Sequence, residues 1–263
     1  MFFCFFSPQL AGFFCAMKQQ YHKYTPEDQE VWNILFERQI QNLQGKCDVH
    51  YLRCLESFAP VLNAEHIPAF EKVNEFMYSR NGWEIHVVPG LISVEEFFSL
   101  LSEKKWCSST WLRTKAQLDY LEEPDMFHDI FGHLPLLLDD VFASFMEHFG
   151  KIGANHLNEP IVLTALQRLY WFTVEFGLSA IQGQEQIYGA GIISSFGETN
   201  HVFENKITKH PFDLDQVINH AFVNNEIQME YYVIQEFSDL YNAVERLEAL
   251  ISEGLDITPA IVR

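Results

Sequence analysis

The chain has 263 residues, 48% of them hydrophobic, and sets 17 Lys and Arg against 36 Asp and Glu for a formal net charge of −19. That balance opposes nucleic acid and anionic membrane surfaces as partners, and the length suits one large domain or two small ones. The five cysteines (Cys4, Cys15, Cys47, Cys54 and Cys107) are scattered without a Cys-x-x-Cys pair. They predict free thiols in the reducing cytoplasm and exclude a disulfide framework or a thiolate metal site.

Residues 1–16 are rich in phenylalanine, lack a positive flank and are interrupted by Pro8. Such a segment is too short to span a bilayer. It reads as an N-terminal extension or the product of an upstream start codon, with the folded protein beginning near Met17. Thr25-Pro-Glu-Asp28 is a helix start: a threonine cap, Pro at the first helical position and acids in the first turn. Val31, Trp32, Ile34, Leu35, Ile40 and Leu43 continue it at helical spacing until Gly45. Further helices are predicted over 48–58 and 68–80. Residues 83–88 alternate as a short strand that Pro89-Gly90 turns. Ser93-Val-Glu-Glu96 is a capping box opening a helix through Leu101, and 106–112 form a second strand.

The next stretch, Glu122-Glu-Pro-Asp-Met-Phe-His128-Asp-Ile-Phe-Gly-His133-Leu-Pro135, brings two imidazoles and four carboxylates into an apolar run. Two histidines from one segment and a carboxylate from elsewhere make an open-sided metal site. His128 and His133 are five positions apart, which on an uninterrupted α-helix leaves them roughly 140° apart around the axis. A straight helix cannot present both. A helix from Pro124 that ends at Gly132, with Pro135 blocking its continuation, would swing His133 back beside His128. The plain alternative is a buried helix end with two satisfied histidines.

Residues 136–149 are predicted helical, and Glu147, His148 and His156 read as surface or satisfied groups. Glu159-Pro160 opens a long helix predicted through Leu178. Inside it, Leu169-Tyr-Trp-Phe-Thr-Val-Glu175-Phe-Gly177 is nearly all apolar around one carboxylate. The plain alternative is a surface Glu on a helix whose other faces are buried, but the aromatic residues surround Glu175 closely, and a buried Glu needs an ion partner or a metal. Glu175 is therefore the predicted third ligand of a two-His-one-carboxylate facial triad, an arrangement suited to non-haem Fe(II) and oxygen. Zinc hydrolysis on the same atoms is an alternative, as is a non-catalytic helical scaffold holding no metal. Residues 187–195 read as a Gly-punctuated strand whose backbone approaches a ligand closely. A helix over 213–221, a strand over 230–234 and a last helix over 238–252 complete the chain. His201, His210 and His220 read as isolated structural histidines.

Three segments, Glu123-Pro-Asp-x-x-His128-Asp-x-x-Gly-His133-x-Pro135, Tyr170-Trp-Phe-Thr-Val-Glu175-Phe-Gly177 and Tyr188-Gly-Ala-Gly-Ile-Ile-Ser-Ser-Phe-Gly-Glu198, resemble the signature segments of the pterin-dependent aromatic amino acid hydroxylases. They stand in the right order, and the similarity runs from about Tyr24 to about Val244, closest to short bacterial members that act on phenylalanine. The resemblance implies a mainly α-helical single domain with a few short β-strands, built around a non-haem iron site. It implies a catalytic domain over 17–263 without a regulatory domain or C-terminal tetramerisation helix, as a monomer or homodimer. The implied reaction is hydroxylation of L-phenylalanine to L-tyrosine with O2 and a tetrahydropterin, at Fe(II) held by His128, His133 and Glu175.

By the same resemblance, Arg113 pairs with the substrate carboxylate; the plain alternative is a surface Arg paired with Asp119 or Glu122. Trp171 and Phe176 line or back the substrate pocket, and Ser194 faces the substrate carboxylate or the ligand network. Gly90, Leu91, Ile92 and Phe97 form the pterin site, Asp129 belongs with the cofactor or behind the metal ligands, and Tyr170 lies near the metal's open side. Leu121 stands where animal members carry Thr beside the substrate, and Asn224-Asn225 lies in a loop that helps set ring preference.

Overall fold

The computed structural model describes residues 17–119, 121, 123–181, 183–223 and 226–257. The expectations for residues 1–16 and for Asn224-Asn225 fall outside them. The N-terminal half of the described chain holds α1 (Pro26–Asn42), α2 (Val49–Phe58), α3 (Phe70–Asn81), β1 (Glu84–Val87), α4 (Val94–Ser102) and β2 (Lys105–Ser108). Next come α5 (Asp140–Asn155), α6 (Pro160–Tyr170), β3 (Leu178–Ser179), β4 (Gln186–Ile187), α7 (Ala190–Ile193) and α8 (Phe196–His201). The chain continues through β5 (Thr208–Pro211), α9 (Leu214–Asn219), β6 (Glu230–Ile234) and α10 (Ser238–Glu253). It is the mainly helical domain with few strands that the sequence predicts. No described helix is long and apolar enough to cross a membrane.

Local chemistry accounts for the helix starts. Thr25 and Asp28 form a reciprocal capping box with Pro26 behind the cap, and Asp48 caps α2 by accepting from the His50 N–H. Of the Ser93–Glu96 box, the Ser93 half forms, accepting from the Glu96 N–H. Gly82 and Gly254 end α3 and α10 at φ +82 and +92, the left-handed conformation that releases a chain from a helix.

Two small sheets stiffen the domain. β1 and β2 pair in parallel, and a four-stranded sheet runs in the order β4-β3-β6-β5, antiparallel only between β3 and β4. Between them the helices enclose an almost continuous aromatic and aliphatic core that includes Trp32, Phe58, Phe127, Phe131, Phe149 and Trp171.

Several predicted elements change on folding. The segment 124–132 does not end at Gly132; it widens into a π-helix, His128–His133, followed by a 3-10 turn, Pro135–Leu138. The helix expected over 136–149 starts at Asp140, where Asp139 caps it, and runs on to Asn155. The helix expected through Leu178 becomes π-helical over Trp171–Glu175, and Leu178 joins β3. Residues 187–195 are strand only at Gln186–Ile187 and then form α7, because Gly189 and Gly191 are needed for close approach to another helix, not for a strand. The second strand stops at Ser108 instead of 112, and α9 ends at Asn219 instead of 221.

Candidate metal centre

The spacing of five between the histidines is resolved by the wide turn. In a π-helix the hydrogen-bonded ring spans five residues, so positions five apart stack on one face instead of diverging. Tyr51 from α2 donates its hydroxyl to the Phe131 carbonyl at 2.5 Å, and Phe127 stacks on Phe131 at 4.8 Å. Both contacts pin the turn from behind. The second half of the site repeats the device. Phe176 N–H donates to the Trp171 carbonyl at 3.0 Å, a five-residue ring that carries Glu175 to the inner face.

The three side chains converge. His133 Nε2 lies 3.1 Å from His128 Nε2 and 3.0 Å from Glu175 Oε1, and His128 Nε2 lies 3.9 Å from Glu175 Oε2. All three are buried, and among the described residues they are the one group of His, Cys, Asp and Glu whose ligand atoms gather this closely, within 4.8 Å of one another. Burial pulls both imidazoles well below the usual histidine range and pushes Glu175 up to about 7. The histidines are thus neutral, the form that binds a metal. The Tyr170 hydroxyl and the Gly191 N–H face the Glu175 carboxylate and partly offset its desolvation. Even so, neither carboxylate oxygen completes a well-formed hydrogen bond. Buried acceptors left so are costly, and a divalent cation among two imidazole nitrogens and a carboxylate would satisfy them. The donor set fits iron, manganese, cobalt or zinc, with open coordination positions.

Neighbouring groups aim the ligands. Ser194 donates its hydroxyl to the Ala190 carbonyl at 2.8 Å, so its oxygen accepts from His128 Nδ1 at 2.8 Å. That bond places the His128 proton on Nδ1 and leaves the Nε2 lone pair facing the site. Trp106 from β2 packs at a tilt on His133 with centroids 4.4 Å apart and donates its indole N–H to the Asp129 carbonyl. A Cβ on Gly191 would sit 3.0 Å from Glu175 Oε2, and one on Gly132 would sit 3.0 Å from the Ala190 carbonyl. These two glycines let α7 lie directly against both ligand-bearing turns.

Arg113 is not a surface residue. It is 5% exposed and grips Asp125 with a two-pronged bond, Nε to Oδ2 and Nη2 to Oδ1, both at 2.8 Å. Asp125 also accepts from the Arg113 and His128 N–H groups, and the net effect of these partners holds its carboxyl below the usual range despite burial. Asp119, the surface partner considered for Arg113, pairs with Arg38 instead. Trp171 stacks on Phe222 at 4.4 Å, packs against Phe176 at 4.6 Å and donates its indole N–H to Gln228 Oε1.

On the other side, Gly90, Leu91 and Ile92 form the turn between β1 and α4, with Gly90 at φ +155. Phe97 on α4 is buried edge-to-face against Tyr170 at 5.6 Å, and Tyr170 lies between it and His133. Asp129 accepts from the Ser109 N–H at 2.9 Å, and desolvation by burial pushes its carboxyl up to about 8. The sequence reading left Asp125, Trp106, Tyr51 and Gly191 without roles. Asp125 stood inside the quoted motif, and its spacing of three before His128 was the signal that it could cap that turn. Trp106 and Tyr51 carried no signal beyond their aromatic character.

The comparisons agree with this geometry. A family model described as biopterin-dependent aromatic amino acid hydroxylase matches residues 12–258. A phenylalanine-4-hydroxylase from Ralstonia nicotianae is 37% identical over 93% of this chain and 77% of its own length. The Chromobacterium violaceum phenylalanine hydroxylase with bound iron(III) superposes with a TM-score of 0.84 at 37% identity, covering 93% of this chain and 91% of that one. That enzyme has also been solved with iron(III) and the oxidised cofactor 7,8-dihydrobiopterin. The cold-active phenylalanine hydroxylase of Colwellia psychrerythraea matches with a TM-score of 0.84 at 35% identity, over 93% of this chain and 96% of that one. A buried His-His-Glu centre on two wide helical turns, inside a fold and a sequence match of this extent, makes the chain a member of the biopterin-dependent aromatic amino acid hydroxylase family.

Proposed function

We propose that this protein is an Fe(II)- and tetrahydropterin-dependent monooxygenase that hydroxylates L-phenylalanine to L-tyrosine. The observation that carries the proposal is the buried His128, His133 and Glu175 set, with two carboxylate oxygens lacking well-formed hydrogen bonds, in a chain 37% identical to a phenylalanine-4-hydroxylase. When bound, iron and the reduced pterin supply the activation of O2 and the electrons it requires. The protein's residues hold, orient and dry the reactants.

His128 and His133 would hold the iron through Nε2 and Glu175 through its carboxylate. Of the two places the resemblance gives Ser194, facing the substrate carboxylate or in the ligand network, its 2.8 Å contact with His128 Nδ1 favours the second. Arg113 is assigned to the substrate carboxylate. Its fork is immobilised by Asp125 through Nε and Nη2, leaving Nη1 outside that pair. A planar guanidinium fixed in this way recognises a carboxylate without further loss of side-chain freedom. Trp171 and Phe176 give the substrate ring an aromatic wall. The turn of Gly90, Leu91 and Ile92, with Phe97 and Asp129, is assigned to the pterin, whose flat ring suits an aromatic face and backbone hydrogen bonds. Tyr170 faces the carboxylate of Glu175 from the pterin side. The free thiols of Cys47, Cys54 and Cys107 suit a cytoplasmic setting, and a monomer or homodimer is the assigned state.

The test is tyrosine formation from phenylalanine by Fe(II)-loaded protein with O2 and a tetrahydropterin, beside a reaction without pterin. Pterin-dependent tyrosine is expected. Hydroxylation of tyrosine or tryptophan instead would move the substrate assignment, and turnover by zinc-loaded protein without oxygen would overturn the reading. Arg113→Lys keeps the charge but loses the fork, and should raise the KM for phenylalanine about tenfold with a smaller change in kcat. An unchanged KM would detach Arg113 from the substrate.

A further inference from the structure

Gln39 lies on α1, far along the sequence from every ligand, and is 2% exposed. A buried glutamine needs a reason, because each unsatisfied amide group is expensive. Its reason is α7. That helix has four residues, so the carbonyls of its last turn have no intrahelical partners. Gln39 Nε2 donates to the Ile193 carbonyl at 2.5 Å and to Thr199 Oγ1 at 2.8 Å, with a longer approach of 3.3 Å to the Ser195 carbonyl. Thr199 Oγ1 in turn lies 2.8 Å from both the Ile192 and the Ser195 carbonyls and supplies its one proton there. Three acceptors around one nitrogen also fix which way the amide points.

The residue between those clamped carbonyls is Ser194. Its hydroxyl orients His128, and Gly191 on the same short helix lies against the Glu175 carboxylate. A continuous line of bonds therefore runs from Gln39 to the Ile193 carbonyl, to Ser194 and on to His128 Nδ1. We propose that Gln39 is a positioning residue for the metal centre. From α1 it clamps the end of α7, and so holds Ser194 where it fixes the tautomer and ring angle of His128. The proposal rests on the metal centre proposed above, and its test separates the two.

The test is binding of Co(II), as a probe metal, to the metal-free protein by competition with a colorimetric chelator. It is made on the wild type, Gln39→Met, Ser194→Ala and the double variant. Methionine keeps the volume of glutamine and removes the donor. Gln39→Met should weaken Co(II) binding by about tenfold, the size of effect expected for a partner behind a ligand. In the Ser194→Ala background the same change should cost almost nothing, because the line to His128 is already cut. Equal losses in both backgrounds, or no loss in either, would overturn the proposal and leave Gln39 as packing. Thr199→Val removes one bond from the same clamp and is read by the same comparison if Gln39→Met does not fold. A wild type that binds no Co(II) would instead overturn the metal centre itself.

Discussion

His128, His133 and Glu175 lie inside the helical core. His210, Glu230 and His220 lie half-exposed at the β5 edge of the four-stranded sheet. The residue types are the same, and the two sets differ in where the atoms point. At the sheet edge Glu230 stands between the histidines, with Oε2 2.9 Å from His210 Nε2 and Oε1 3.9 Å from His220 Nε2. His220 spends its other nitrogen on the Tyr232 hydroxyl at 2.9 Å. Those partners satisfy one another, and no common point remains for a cation. In the core the imidazole nitrogens face each other at 3.1 Å, and the carboxylate lacks well-formed hydrogen bonds. A metal centre is thus marked by convergence and by unsatisfied buried acceptors, more than by its list of residues.

The largest effect belongs to His133→Ala, which should abolish stoichiometric iron binding and tyrosine formation together. An active, iron-replete variant would remove the triad. A smaller loss is expected from Gly191→Ala. The added methyl would meet Glu175 Oε2 at 3.0 Å, and should weaken Co(II) binding by about tenfold while the helix persists. Unchanged affinity would mean that α7 can give way.

Acidity offers a graded test. Burial pushes Glu175 up to about 7 and pulls both histidines below their usual range. Below that value Glu175 must release a proton before it can bind metal, so affinity falls as the pH drops through about 7, by up to tenfold per pH unit. A carboxylate of ordinary acidity would leave affinity flat to about pH 5, and such a profile would show that burial does not raise Glu175 in the metal-free protein. The smallest effect is expected at the sheet edge. Glu230→Gln should change thermal stability by no more than about 0.5 kcal/mol and leave iron content untouched, as befits a solvated ion pair.

The chemistry of the site was legible in the sequence because burying a charge is so costly. Glu175 stands alone among aromatic residues, which makes a surface position a poor reading and a metal or ion partner the better one. Helix starts at Thr25, Asp48 and Asp213 were legible because caps are local. The path between the ligands was not. A five-residue spacing admits either a helix that stops or a helix that widens, and the choice belongs to contacts from elsewhere, such as Tyr51 on Phe131. The glycines of 187–195 misled in the same way. They permit close approach, and sequence alone does not say whether the approaching backbone is a strand or a helix. The grouping of His210, His220 and Glu230 was also missed, because three residues on separate elements leave no periodic trace.

The wide turn at His128–His133 holds one residue more than an α-helical turn would. In an ordinary helix each residue advances about 100° around the axis. The extra residue is therefore a phase shift, felt by everything that follows. It brings the two histidines into line, and it also sets the angle at which Leu134, Leu136 and Leu137 enter the core, where each is at most 2% exposed. Metal geometry and core register are thereby written in one insertion. Deleting Ile130 would not merely misplace a ligand; it would rotate a buried leucine run out of its sockets, so the length of this stretch is constrained as tightly as its ligands.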